Sequence, residues 1–186
     1  LDNSEISAST VDGIAGDINI NATDSVQLDN SSKLASEATG DGAAGNIDIF
    51  TNQLRISDNS QANVSSKGSG NAGSISIKAT DVNMNQGAKI SANTESGNGE
   101  DVKLEGLTNL SLNNSEISAS TVDGEAGDID IKATNSVQLE SSSKLASEAN
   151  GDGIAGNIDI TTNQLRINDN SQANVSSKGN GSAGSV

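Results

Sequence analysis

The chain has 186 residues, with 25 Asp and Glu against 10 Lys and Arg, and it contains no Cys, His, Pro, Trp or Tyr. That composition excludes a disulfide framework, thiolate or imidazole metal ligands, a Ser-His-Asp triad and a near-neutral proton switch. A net charge of −15 argues against nucleic acid or an anionic membrane as partner, and one Phe leaves no platform of stacked aromatics for bases or sugar rings.

The chain begins with an alternating apolar pair, Ile6/Ala8, followed by Asp12-Gly13 and Ala15-Gly16. Ile18/Ile20 and Val26/Leu28 alternate in the same way, then Asp29-Asn30-Ser31, then the looser pair Leu34/Ser36. A Gly-rich stretch, Thr39 to Gly45, leads into Ile47/Ile49, and the cycle starts again. It runs through Leu54/Ile56 and Ala62/Val64, then Ile75/Ile77, Val82/Met84 and Ile90/Ala92. Val102/Leu104, Leu110/Leu112 and Ile117/Ala119 form the next round, in which Glu100-Asp101 replaces the usual Gly-polar entry. Ile129/Ile131, Val137/Leu139 and Leu145/Ser147 follow, then Ile158/Ile160, Leu165/Ile167 and Ala173/Val175.

The first aliphatics fall at 18, 47, 75, 102, 129, 158 and 186, so the step is 27 to 29 residues. Four steps make a longer repeat of 111: residues 1–75 match 112–186 at 61 of 75 positions. Leu, Ile, Val and Phe together number only 38 of 186, close to the content of disordered chains, so order must come from their arrangement. Period-two alternation predicts strands with one dry face. Three short strands per repeat close around a narrow core, and equivalent strands of successive repeats pair in parallel. No stretch keeps helical spacing, and Gly, Ser and Asn are poor helix formers. The fold expected is all-β, a parallel β-helix of about 6.6 coils, with ~4.8 Å between neighbouring strands and right-handed like most parallel crossovers. Absence of Pro fits strands that need their N–H groups on both sides. A single coil buries too little to stand alone, so stacking supplies the stability. Residues 1–186 read as one segment of a longer repeat protein, with long units 1–111 and 112–186.

Turn residues follow the second strand, as in Asp58-Asn59-Ser60 and Asn113-Asn114-Ser115. Asn tolerates the left-handed backbone of a tight corner, and stacked Asn amides are expected to bond one another there. Asp12, Asp41, Asp123 and Asp152, each before Gly, are candidate Ca²⁺ ligands, since oxygen donors on flexible turns suit that ion. They do not match the nonapeptide of calcium-binding β-rolls, and turn formation is the simpler role. Asp17, Asp48, Asp128 and Asp159 are expected to point outward as a solvated acidic face. Lys33/Glu37, Lys144/Glu148, Arg55 and Arg166 recur with the repeat instead of converging on one site, which argues against an enzyme. No catalytic residue and no cofactor are assigned.

In Ala-Gly-Asn-Ile-Asp-Ile, Leu-Arg-Ile and Asn-Ser-Glu-Ile-Ser-Ala the chain resembles the filamentous haemagglutinin-like exoproteins of Gram-negative bacteria, most of all the cyanobacterial members. The resemblance spans the whole chain. It implies a right-handed β-helix, export through an outer-membrane transporter, an extracellular or cell-surface location, and a role as adhesin, surface filament or stalk. It also implies partners such as surface carbohydrate or a receptor, and self-association end to end or along the rod. Polysaccharide lyases are β-helical too, which makes a polysaccharide-active enzyme the competing expectation.

Overall fold

A computed structural model describes residues 1–186, all of them in strands, turns and loops. Fifteen strands run in chain order: β1 Glu5–Thr10, β2 Ile18–Leu28, β3 Lys33–Ala38, β4 Ile47–Ile56, β5 Gln61–Ser66, β6 Ile75–Lys78, β7 Asp81–Asn85 and β8 Lys89–Thr94. They continue as β9 Val102–Asn113, β10 Glu116–Thr121, β11 Ile129–Glu140, β12 Lys144–Ala149, β13 Ile158–Thr161, β14 Gln164–Ile167 and β15 Gln172–Ser177. The third strands of the coils form one sheet in the order β1-β3-β5-β8-β10-β12-β15, and the first and second strands form the other. Every pairing is parallel and joins neighbouring coils. Ile18 pairs with Ile47, Ile47 with Ile75, Ile75 with Val102, Val102 with Ile129, and Ile129 with Ile158. The chain is a parallel β-solenoid of about six turns.

Its core is one apolar column system of 32 buried residues running through the coils, with Ile47, Ile75, Leu104 and Ile131 all at most 2% exposed. Alternation dictates this: in β5 the pattern of Ala62, Val64 and Ser66 inward and Gln61, Asn63 and Ser65 outward is unbroken. Differences of one residue in coil length between neighbouring strands are absorbed as bulges where the ladder shifts register. Ala22 pairs with Thr51 but Ser25 with Gln53, so the extra residue of the first coil bulges between them.

The expectation of three separate strands per coil holds for only part of the molecule. β2, β4, β9 and β11 each fuse the first and second strands into one bent strand of 10 to 12 residues. Ladder pairing continues into the bend, as at Asn21–Phe50 and Ala133–Leu107, because small or extended residues there cause a bulge instead of a chain reversal. Gly106, at φ +72°, takes the bend of β9. The division survives where Ala79-Thr80 and Thr162-Asn163 separate β6 from β7 and β13 from β14.

The second corner is left-handed, as its residues predict. Asn30 and Ser31, Asp58 and Asn59, Ser141 and Ser142, and Asp169 and Asn170 all have φ between +52° and +63°. Its ladder, however, is made of serine. Ser32 Oγ accepts the Ser4 N–H at 3.3 Å, Ser60 Oγ that of Ser32 at 3.0 Å, Ser143 Oγ that of Ser115 at 3.2 Å and Ser171 Oγ that of Ser143 at 3.0 Å. The serines point inward, where a short hydroxyl reaches the N–H of the preceding coil. The asparagines before them, such as Asn59, face water. Ser143→Ala deprives the Ser115 N–H of its hydroxyl partner in a buried place and should cost ~1–3 kcal/mol in urea denaturation. A loss below ~0.3 kcal/mol would mean water replaces the ladder.

Candidate functional site

The Gly-rich third loops stack as tightly as the strands. Gly13, Gly42, Gly70, Gly97, Gly124, Gly153 and Gly181 form a column in which a Cβ on each glycine after the first would collide with the carbonyl oxygen of the one before. Backbone bonds join the loops: Ala15 N–H to Ala43 O at 2.9 Å, Ala44 to Asn71 at 3.0 Å and Ala72 to Asn98 at 3.1 Å. Inward hydroxyls tie the loops to the third strands. Ser36 Oγ accepts the Gly45 N–H at 2.8 Å and donates to Gly16 O at 3.0 Å, and Ser147 repeats this with Gly156 and Gly127.

The four candidate calcium ligands lie along these loops as two stacked pairs, Asp12 with Asp41 and Asp123 with Asp152. Asp12 Oδ1 accepts the Asp41 N–H at 3.2 Å, and Asp41 Oδ1 accepts the N–H and hydroxyl of Ser69 at 3.1 and 3.2 Å. Asp123 Oδ1 accepts the Asp152 N–H at 3.2 Å, and Asp152 Oδ1 bonds the N–H and amide of Asn180 at 2.9 and 3.0 Å. One carboxylate oxygen of each is therefore engaged in satisfying a loop N–H of the next coil. Nowhere do three His, Cys, Asp or Glu side chains converge as around a metal ion.

The acidic residues expected on one outer face divide between two places. Asp48 and Asp159 lie within β4 and β13 and point outward, Asp48 between Asn19 and Ser76 in its column. Asp17 and Asp128 lie one residue before β2 and β11 and cap the next coil: the Asn46 N–H donates to Asp17 Oδ1 at 2.7 Å and the Asn157 N–H to Asp128 Oδ1 at 2.6 Å. Alternation within the strand could not reveal this, because both residues stand just outside it.

The recurring Lys/Glu pairs cover the sheet of third strands. Lys33 Nζ lies 2.8 Å from Glu37 Oε1, and Lys144 Nζ 2.8 Å from Glu148 Oε1. Each pair bridges an outward alanine, Ala35 or Ala146, which is thereby buried despite facing outward. Asn63 and Asn174 in the next coil donate to the same glutamates at 2.7 and 2.6 Å. Partial burial acts to raise the carboxyl pKa of Glu37 and Glu148, but the hydrogen bonds and charges of Lys33 and Asn63, or Lys144 and Asn174, outweigh it and hold both below the ordinary 4.5. A folded pKa below the unfolded one adds stability that is complete above 4.5 and is lost as pH falls through the folded value. The double variant Glu37→Gln/Glu148→Gln should therefore lose part of the wild-type advantage at neutral pH and flatten the acid limb of a pH-dependent urea midpoint below about 4.5. An unchanged acid limb would count against the pairs.

The outer face of the other sheet carries further ion pairs. Lys103 Nζ meets Asp101 at 2.8 Å, and Lys132 Nζ meets both Asp130 at 2.7 Å and Glu105 at 3.1 Å. Hydrogen bonds donated to these carboxylates raise both lysines above their ordinary value. Two hollows open on this face. One, of about 490 Å³, is polar and bordered by Gln27, Gln53, Arg55, Asp81 and Asn83, with Arg55 3.5 Å from Asp29. The other, of about 360 Å³, holds Phe50, Lys78, Asp48, Asn19 and Asn21. Arg55 and Arg166 stand in different coils and share no site, consistent with copying by the repeat. The chain matches no known protein family, no curated protein and no solved structure.

Proposed function

We propose that the chain is a non-enzymatic extracellular rod of the filamentous haemagglutinin-like type, which projects adhesive elements from a cell surface. The observation that carries this reading is the continuity of the ladders. Both sheets, the corners and the glycine loops are hydrogen-bonded from coil to coil along the whole chain, which makes the solenoid stiff along its axis. Its outer faces are regular rows of Ser, Asn and paired charges, a surface suited to hydration. Export through an outer-membrane transporter belongs to the same reading and rests on the sequence resemblance. Antibody raised against the segment should label intact cells of the source organism. Labelling only after permeabilisation would overturn the reading.

End-to-end self-assembly into a filament is a second reading, favoured by the near-identity of the two long units, which match at 61 of 75 positions. Negative-stain microscopy over a range of concentrations should show lengthening rods; short dispersed rods at every concentration would count against it.

A further inference from the structure

The hollow of about 490 Å³ lies over the outward residues of β2, β4 and β7 in three successive coils. In register, Ser25, Gln53 and Asp81 form one outward column, and Gln27, Arg55 and Asn83 the next. Arg55 and Asp81 therefore stand on a diagonal, about 8 Å apart at Cα for neighbouring strands and a step of two residues. Opposite charges so placed can meet, yet these two turn away from each other. Arg55 Nε leans to Asp29 at 3.5 Å, on the opposite diagonal, and Asp81 Oδ1 accepts the Asn109 amide at 2.9 Å in the coil beyond. Both terminal nitrogens of Arg55 and the second oxygen of Asp81 are left without protein partners. Asn85 borders the same hollow, and its Oδ1 is the one buried side-chain polar atom of the chain with no hydrogen-bond partner.

We infer that this hollow binds the zwitterion of a free amino acid with a polar, uncharged side chain. The terminal nitrogens of Arg55 form a planar fork that matches a carboxylate, and Asp81 with the amide oxygens of Gln53 and Asn83 accepts from an ammonium. An α-amino acid carries both charges on one carbon, so it fits between two opposite charges that do not touch. A lone anion would face the chain's net charge of −15, and a lone cation would face the Arg55 guanidinium. The two apolar residues at the hollow, Val26 and Leu54, belong to the core side of their strands, so no apolar wall awaits a large aliphatic or aromatic side chain. An amide or hydroxyl side chain instead brings the donor that Asn85 Oδ1 lacks, once the Asn85 amide turns toward the hollow about a torsion with broad minima. The inference goes beyond the rod reading and does not rest on it, since this face of the sheet is the same wherever the protein resides.

Calorimetry and amide ¹H–¹⁵N NMR titrations of the purified chain would test it, with L-glutamine, L-serine, L-leucine, N-acetyl-L-glutamine and L-glutaminamide. L-glutamine or L-serine is expected to bind with millimolar or better affinity and to shift amide signals of β2, β4 and β7. N-acetyl-L-glutamine lacks the ammonium and L-glutaminamide the carboxylate, so each should bind about tenfold or more weakly than L-glutamine. Arg55→Gln and Asp81→Asn should each weaken binding by about the same factor. Gln27 and Gln138 already place glutamine in the Arg55 column, and Asn109 places asparagine in that of Asp81, so an unchanged circular dichroism melt will establish that both variants fold. The two derivatives probe the same requirement on the unaltered chain. No binding of L-glutamine or L-serine, equal binding by either variant, undiminished binding of either derivative, or tighter binding of L-leucine would each overturn the inference. None of these results bears on surface labelling, which decides the rod reading separately.

Discussion

Gly97→Ala is expected to destabilise the chain by ~2–3 kcal/mol or more, while Gly13→Ala stays within ~0.5 kcal/mol of wild type. The two glycines occupy the same column, and the chemistry of the change is identical. What differs is the neighbour. A Cβ on Gly97 would collide with the backbone carbonyl of Gly70, which cannot swing aside as a side chain could. The loops on either side are tied down too: Ala72 N–H donates to Asn98 O at 3.1 Å, and Thr121 Oγ1 to Gly97 O at 3.3 Å. To admit a methyl group, the coils must part locally and give up ladder bonds. Gly13 belongs to the first coil, and its Cβ would meet only the Thr10 hydroxyl at 3.1 Å. Urea melts of both variants followed by circular dichroism would decide it. Equal midpoints for Gly97→Ala and wild type would mean that the loops do not stack backbone on backbone.

Leu104→Ala should cost ~2–5 kcal/mol, the range for a fully enclosed leucine whose surroundings cannot collapse into the space. Leu104 is fully buried in β9, between Ile77 and Ile131 in the same column. The neighbours above and below are held by their own ladders, so the cavity stays open. Ile167→Ala, in an outer coil where the side chain is 39% exposed, removes far less buried surface and should cost under ~1 kcal/mol. Because the stability of a stacked array depends on nearest-neighbour contacts, the central change should also reduce cooperativity and broaden the urea transition. A Leu104→Ala melt as sharp and as late as that of Ile167→Ala would sink the stacked-core account.

Much of this architecture could be read from spacing alone. The alternating pairs identify the inward residues of the strands, and their recurrence every 27 to 29 residues identifies which strands pair, as Ile18, Ile47 and Ile75 do. The left-handed corner was legible because Asn and Asp at that place have a backbone preference of their own. The serine ladder was not, since Ser32 and Ser143 have no such preference and matter only because the preceding coil puts an N–H within reach. The fusion of strands in β4 escaped for a similar reason: whether Thr51-Asn52 ends a strand or bends it depends on Ala22 in the neighbouring ladder.

The order of apolar and polar residues by itself determined the coil length, the inward set and the parallel pairing, because a period of two within strands and a fixed step between them leave one way to bury the aliphatics. Tertiary structure alone decided what each polar residue does. Asp17 caps a strand, Asp41 holds a loop, Asp48 borders a hollow, and Glu37 closes over an alanine. In sequence all four are acidic residues in a polar context. Their roles differ because the partner of each lies one coil away in most cases, and a side chain's hydrogen bonds depend on what stands within about 3 Å and not on its place in the repeat.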